Sequence, residues 1–352
     1  MVNKAPPPGL SLTFPLLSIR HHGGVGVIIY LANYLAHKGW KVNLVTAKDK
    51  FKPHYLISGR VRILLTPKVG RLGLFSHLLV LLYLFLWLPK SDLIIANFFP
   101  TFYPSYLRSR LGYGRLLYLI QDYEARFCGF PLSLFASLSY RLKSSQVVVS
   151  GWLRDQLKGN PPVINPGPRA GFFPDKADSL LREKGTRKAV VYLWSSPKRG
   201  RVSILREVMK DWRRDDLELW IVGGAPKLRT ELRTRFFPLL GQDELRRVYS
   251  SADTLLHTSP CEGFGLPPLE AMACGTPPVL TDSGGVRDYA RDRYNCLLVE
   301  KDPLRIREAV EMLLVDDELR EKLTKGALKT AARFSMEKMA EEFEELLQKV
   351  IG

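Results

Sequence analysis

Cys261-Glu262-Gly263-Phe264-Gly265-Leu266-Pro267-Pro268-Leu269-Glu270 is the stretch on which the reading of this chain turns. Two carboxylates stand eight residues apart, with a glycine-rich turn and an expected helix start between them. Gly263 and Gly265 let the backbone come close to a ligand and take up positive φ. Pro267 suits a first helical position, and Gly275 closes the helix after Ala271-Met272-Ala273-Cys274. The amides of Phe264, Gly265 and Leu266 are then left at a helix N-terminus, an anion site best suited to phosphate. A carboxylate on either side would be repelled by that phosphate, so each is expected to face hydroxyl groups. Phosphate flanked by two sets of hydroxyls outlines a nucleotide sugar.

Outward from this stretch the chain reads as alternating strands and helices. In the first half, strands are expected at 10–13, 41–46, 61–65, 93–96, 116–120 and 146–149, with helices near 27–37, 132–142 and 151–157. A proline-rich piece from Pro161 to Pro174 interrupts the pattern as a hinge would. The rhythm restarts with strands at 188–193, 217–222 and 254–257, helices near 202–212 and 245–250, and helical sequence from Asp302 to the amphipathic run 336–350. This β-α-β order implies parallel sheets covered on both faces. The expected division is 1–168, 169–335 and a final helix 336–352. Two such halves would hold a ligand in a cleft at the carboxyl ends of their strands.

Four segments, in order, resemble the GT-B glycosyltransferases, in particular the retaining family 4 enzymes. Glu262 to Glu270 is similar to their E-x7-E signature, and His22-Gly23-Gly24-Val25-Gly26 to their glycine-rich first loop. Val163-Ile164-Asn165-Pro166-Gly167 resembles their crossover between domains, and Asp282-Ser283-Gly284-Gly285-Val286 the turn that follows E-x7-E. The resemblance implies an α/β GT-B fold of two Rossmann-like domains with parallel sheets facing across a cleft, the last helix crossing back to the first domain. It implies a retaining enzyme that takes a sugar from a nucleotide-diphosphate sugar. Glu262 would hold hydroxyls of that sugar, Glu270 the ribose, and the amides of Gly265 and Leu266 the diphosphate, with the Phe264 amide beside them at the same helix end. Gly23, Gly24 and Lys198 or Arg199 would help neutralise the leaving group. Where the family usually places an upstream arginine, this chain has Trp194; where it usually has His-Asp, this chain has Gln121-Asp122. Gln121 can bond a sugar hydroxyl but carries no proton near neutral pH. Gln121-Asp122-Tyr123-Glu124 is similar to a bacterial subgroup that includes rhamnosyltransferases.

Composition adds limits. The chain has 352 residues, enough for about two domains. Its four cysteines form no C-x-x-C pair, and its six histidines show no metal-ligand spacing. No D-x-D and no P-loop occur. Gly24-Val25-Gly26 fails as a dinucleotide fingerprint because the third glycine position is Ile29. No metal, cofactor or nucleic acid is expected. No secretion signal is evident, and a cytoplasmic enzyme is expected. The net charge of +17 is unevenly placed: residues 1–168 carry 20 basic against 5 acidic residues, the remainder 32 against 30. A basic first half points to an anionic membrane surface, and with it to a glycan or lipid-linked acceptor. The apolar run 72–88 reads as a core helix, a membrane-interface helix or a span. Rival readings are a GT-B epimerase or phosphorylase, a glycosidase using Glu262 and Glu270 as a carboxylate pair, and a basic nucleic-acid binder.

Overall fold

The computed structural model describes residues 9–20, 23–53, 55–70, 74–194, 201–224, 228 and 230–351. The chain divides into two compact units, Met1–Asn165 with Met336–Gly352, and Pro166–Ser335.

Unit 1 holds six parallel strands: β1 (Ser11–Pro15), β2 (Lys41–Ala47), β3 (Arg62–Thr66), β4 (Leu93–Ala96), β5 (Arg115–Ile120) and β6 (Ser145–Val148). Their order across the sheet is β3-β2-β1-β4-β5-β6, the doubly wound arrangement. Strands Leu93–Ala96 and Leu117–Ile120 are buried throughout, as continuous apolar strands covered on both faces must be. The helices are α1 (Gly23–His37), α2 (Leu74–Trp87), α3 (Phe99–Arg110), α4 (Leu132–Ser139) and α5 (Gly151–Gln156). Right-handed crossovers place α1 on one sheet face and α2, α3 and α4 on the other. Helix α3 was not expected, because Pro100 and Pro104 argue against a helix; Pro100 sits in its first turn, where its missing N–H costs nothing, and Pro104 lies buried inside it.

Unit 2 repeats the architecture. It contains α6 (Asp178–Lys184), β7 (Lys188–Leu193), α7 (Arg201–Met209), β8 (Leu217–Val222), β9 (Arg233–Phe237), α8 (Gln242–Ser251) and β10 (Thr254–His257). There follow α9 (Leu266–Ala273), β11 (Pro278–Thr281), β12 (Leu297–Val299), α10 (Pro303–Val315) and α11 (Asp317–Ala331). All six strands are parallel, in the order β12-β11-β10-β7-β8-β9. Helix α12 (Met336–Ile351) belongs to unit 1, packing on α1 through Met339, Ala340, Phe343 and Leu347 at helical spacing. The Trp40 indole N–H donates to Glu344 Oε1 at 2.9 Å in that buried seam.

Among the described residues no helix is long and apolar enough to cross a membrane. Helix α2 is 14 residues, short of the roughly 20 a span needs, which removes that alternative for 72–88. One of its faces is core: Val80 and Leu84, with Leu88 just beyond, pack on Val45, Ala47 and Val69.

Candidate functional site

In a doubly wound sheet, ligands bind beyond the carboxyl ends of the two strands where the order reverses. In unit 2 those strands are β7 and β10. Beyond β10 lies the loop that carries Glu262; beyond β7 lies Trp194, followed by 195–200, so that Lys198 and Arg199 fall outside the described residues.

The Glu262 loop is locked on both sides. The Glu262 N–H donates to the Ser283 carbonyl at 2.8 Å, and its own carbonyl accepts from the Gly285 N–H at 3.0 Å. Gly285 must be glycine, since a Cβ there would meet the Gly263 carbonyl oxygen at 2.3 Å. Thr281 Oγ1 donates to the Ser259 carbonyl (3.0 Å), and Lys301 Nζ to that of Pro260 (2.8 Å). Asp282 accepts from the Gly284 N–H and clasps Arg287, whose guanidinium holds the carboxyl below its usual range. The loop is therefore set before any ligand arrives. Glu262 is 8% exposed, with His257 Nε2 3.5 Å from its Oε1.

Gly265 caps α9 with φ +89°. A Cβ there would lie 2.9 Å from Val286 Cγ1 and 3.0 Å from the Tyr289 oxygen. The Tyr289 hydroxyl donates to the Gly265 carbonyl at 2.6 Å, and burial, reinforced by the charge of Glu262, holds it protonated far above the usual tyrosine range. Leu266 is the first helical residue; Pro267 comes second rather than first as expected. With prolines at both following positions, the first turn of α9 has a single N–H, that of Leu266, beside those of Gly265 and Phe264. The anion-binding capacity of this helix end is thus confined to those backbone amides. The Phe264 ring points into the core against Tyr289 and Phe334.

Glu270 lies one turn further along α9 and is 6% exposed. Burial pushes its carboxyl above the usual value, while the Arg169 guanidinium, 3.4 Å away, pulls against that rise. Tyr249 and Cys274, whose ionisation the charge of Glu270 also opposes, are both held neutral by burial, the latter with a pKa of about 12. Trp194 continues β7, and its ring lies on Gly224, where a Cβ would meet ring Cδ1 at 2.7 Å. The position of the usual arginine is therefore filled by an aromatic packed on the glycine turn after β8.

In unit 1 the order reverses between β1 and β4. Gly23 and Gly24 open α1, and Gly24 rests on Gln121 beyond β5, where a Cβ would meet Gln121 Oε1 at 3.3 Å. Asp122 accepts from the Tyr123 N–H at 3.0 Å. Glu124 is buried and accepts from the Tyr140 hydroxyl at 2.6 Å, a structural role within the Gln-Asp-Tyr-Glu run. His22 lies outside the described residues.

Sequence reasoning missed His257 and Arg169. His257 has no metal-ligand spacing to mark it; its one signal is that it ends the strand that feeds the Glu262 loop. Arg169 directly follows Pro166-Gly167-Pro168, the one local signal that it belongs to the crossover. Among the described residues no group of three His, Cys, Asp or Glu is placed to hold a metal ion.

Comparison with known proteins agrees with this picture. Residues 175–330 match the family described as glycosyl transferases group 1. A D-inositol 3-phosphate glycosyltransferase of Salinispora tropica is 38% identical over 107 residues, 30% of this chain and 22% of that protein. The chain thus matches about a quarter of the length of such curated relatives. Sucrose-phosphate synthase from Thermosynechococcus elongatus superposes with a TM-score of 0.81 at 18% identity, over 97% of this chain and 99% of that one. Anabaena HepE in complex with UDP and glucose superposes with a TM-score of 0.78 at 17% identity, over 97% and 100%. The fold is that of these two-domain α/β proteins.

Proposed function

We propose that this chain, whose residues 175–330 form a glycosyl transferases group 1 domain, is a retaining glycosyltransferase using a nucleotide-diphosphate sugar. The sugar is a hexose or deoxyhexose and the acceptor a glycan or lipid-linked molecule, in cell-surface polysaccharide or glycolipid assembly on the cytoplasmic side of a membrane. The observation that carries this reading is a pair of buried carboxylates, Glu262 and Glu270, on either side of the N-terminus of α9. Two carboxylates beside one anion-binding helix end suit a ligand with hydroxyls on both sides of a diphosphate. Glycosidase chemistry would leave those amides without an anion to bind.

In this mechanism Glu262 holds hydroxyls of the donor sugar, and Glu270, steadied by Arg169, takes the ribose diol. The Gly265 and Leu266 amides stabilise charge as it develops on the departing diphosphate, which is the main rate term. Lys198 or Arg199 supplies a cation to the same group. The bond from the anomeric carbon to the diphosphate oxygen breaks, and the acceptor oxygen bonds that carbon on the same face. The acceptor proton passes to the departing phosphate oxygen. Gln121, with Asp122 beside it, bonds a sugar hydroxyl. Substitution of Glu262 by Gln should abolish transfer while leaving nucleoside diphosphate affinity within about twofold, since that carboxylate touches only the sugar. Full transfer activity in Glu262→Gln would remove the assignment.

A further inference from the structure

Unit 1 carries a surface that the donor chemistry does not use. Helix α2 has no charged residue in Leu74–Trp87, yet it lies on the outside of the unit. Opposite its core face, Phe75, Leu78, Leu82 and Leu86 recur at intervals of three, four and four, each about half or more exposed. A helix apolar on all sides is ordinarily enclosed on all sides. Helix α4, in the same layer beyond α3, is also free of charge and exposes Leu134, Phe135 and Leu138. Phe130, just before it, is 87% exposed. Together these residues make an apolar face beyond the scatter expected of a soluble surface.

The charge around this face selects its occupant. Exposed Lys90 follows α2, Arg110 ends α3, and exposed Arg141 and Lys143 follow α4. Residues 51–154 hold 13 Lys and Arg against three acidic residues, Asp92, Asp122 and Glu124. Asp92 is bonded to the N–H and hydroxyl of Ser11, and Glu124 is buried under Tyr140. A second copy meeting this face would bring the same excess of positive charge against it, so the two copies would repel one another. An anionic bilayer offers both what the apolar centre needs and what the rim needs. Trp87, half-exposed at the end of α2, suits the interfacial depth.

We propose that the outward faces of α2 and α4 dock the protein on an anionic lipid bilayer, with Phe75, Leu78, Leu82 and Leu86 entering the headgroup boundary and the surrounding Lys and Arg on lipid phosphates. This deepens the lipid-linked acceptor reading, because it brings unit 1 to where such an acceptor lies. Helix α2 would lie in the plane of the surface rather than cross it.

The test uses the full chain and acceptor-free vesicles, of phosphatidylcholine alone or of equimolar phosphatidylcholine and phosphatidylglycerol. The protein should sediment with the anionic vesicles and not with the neutral ones, and high salt should weaken binding. Leu78→Gln with Leu82→Gln alters exposed positions without changing charge, and should weaken partition at least tenfold at low salt. Arg141→Gln with Lys143→Gln should weaken it by about fivefold for each residue. Binding unchanged by the leucine pair would overturn the docking face, as would no binding to either vesicle. A concentration-dependent dimer that the leucine pair dissolves would assign the face to a second copy and equally overturn the proposal. Nucleoside diphosphate affinity, measured on the same variants, should be unaltered. Lost vesicle binding with intact nucleotide binding would leave the donor reading standing; the reverse would leave the docking face standing.

Discussion

Replacing Arg169 by Met removes the cation beside a buried carboxylate, and the consequence should depend on pH in one direction. Glu270 is almost wholly buried, and the 3.4 Å pair with Arg169 opposes the effect of that burial. Breaking a fully buried pair costs about 3–5 kcal/mol. Arg169 keeps 28% of its side-chain exposure, which with the long contact brings the expected cost to about 2 kcal/mol. Glu270 is already raised above its ordinary value of 4.5 in the folded protein. Below that value it is protonated in folded and unfolded chains alike, and the substitution should cost little. As pH rises, the unfolded chain ionises first and the folded state loses stability until pH passes the folded value. Loss of the cation raises the folded value further, so the deficit of Arg169→Met should open once pH passes the wild-type folded value, itself above 4.5, and grow toward neutrality. Cys274 and Tyr249, the other groups facing Glu270, stay protonated throughout this range. Thermal unfolding of the full chain between about pH 4 and 8 reads the effect, with roughly 4–8 °C expected at the upper end. In a Glu270→Gln background the same substitution should cost much less. A deficit independent of pH, or one that persists in Glu270→Gln, would refute the reasoning.

Two further outcomes follow from the site. Gly265→Ala combines a positive φ with a Cβ 2.9 Å from Val286 Cγ1, and should destabilise by about 2–4 kcal/mol and weaken nucleoside diphosphate binding; wild-type stability in that variant would show that the cap is not as tight as the geometry requires. Transfer should persist in EDTA, because the diphosphate is expected to be held by amides and basic side chains; a strict divalent requirement for the chemical step would contradict this.

The legible parts of the fold are those where one local signal dominates. Lys188–Leu193, Leu217–Val222 and Thr254–His257 are strands as the apolar runs imply, since a covered parallel strand has no polar side to dilute its pattern. Strand β9 escaped notice because Arg233-Thr234-Arg235-Phe236-Phe237 is an edge strand with two arginines and little burial. Strands β11 and β12 are only four and three residues long, and a proline starts the first of them. Helix α3 depends on tertiary packing around Pro104, which no propensity anticipates. In the candidate site, the turn and helix between Glu262 and Glu270 were readable because glycine and proline have fixed backbone meanings. His257 and Arg169 were not, since each matters through a contact made only after folding: the first across five residues, the second across 101. The apolar run 72–88 allowed a core helix, a membrane-interface helix or a span, and could not tell that α2 would have one core face and one face left outward.

A nucleoside diphosphate bound at α9 with its ribose on Glu270 is the central claim. Calorimetric titration of the full chain with UDP, GDP, dTDP and ADP tests this directly, in the wild type and in Glu270→Ala. One of the four should bind, and loss of a charge-assisted bond to the ribose of about 1.5–3 kcal/mol should weaken it roughly 10- to 100-fold in the variant. Equal affinity in the two proteins, or no binding of any of the four, would contradict the account.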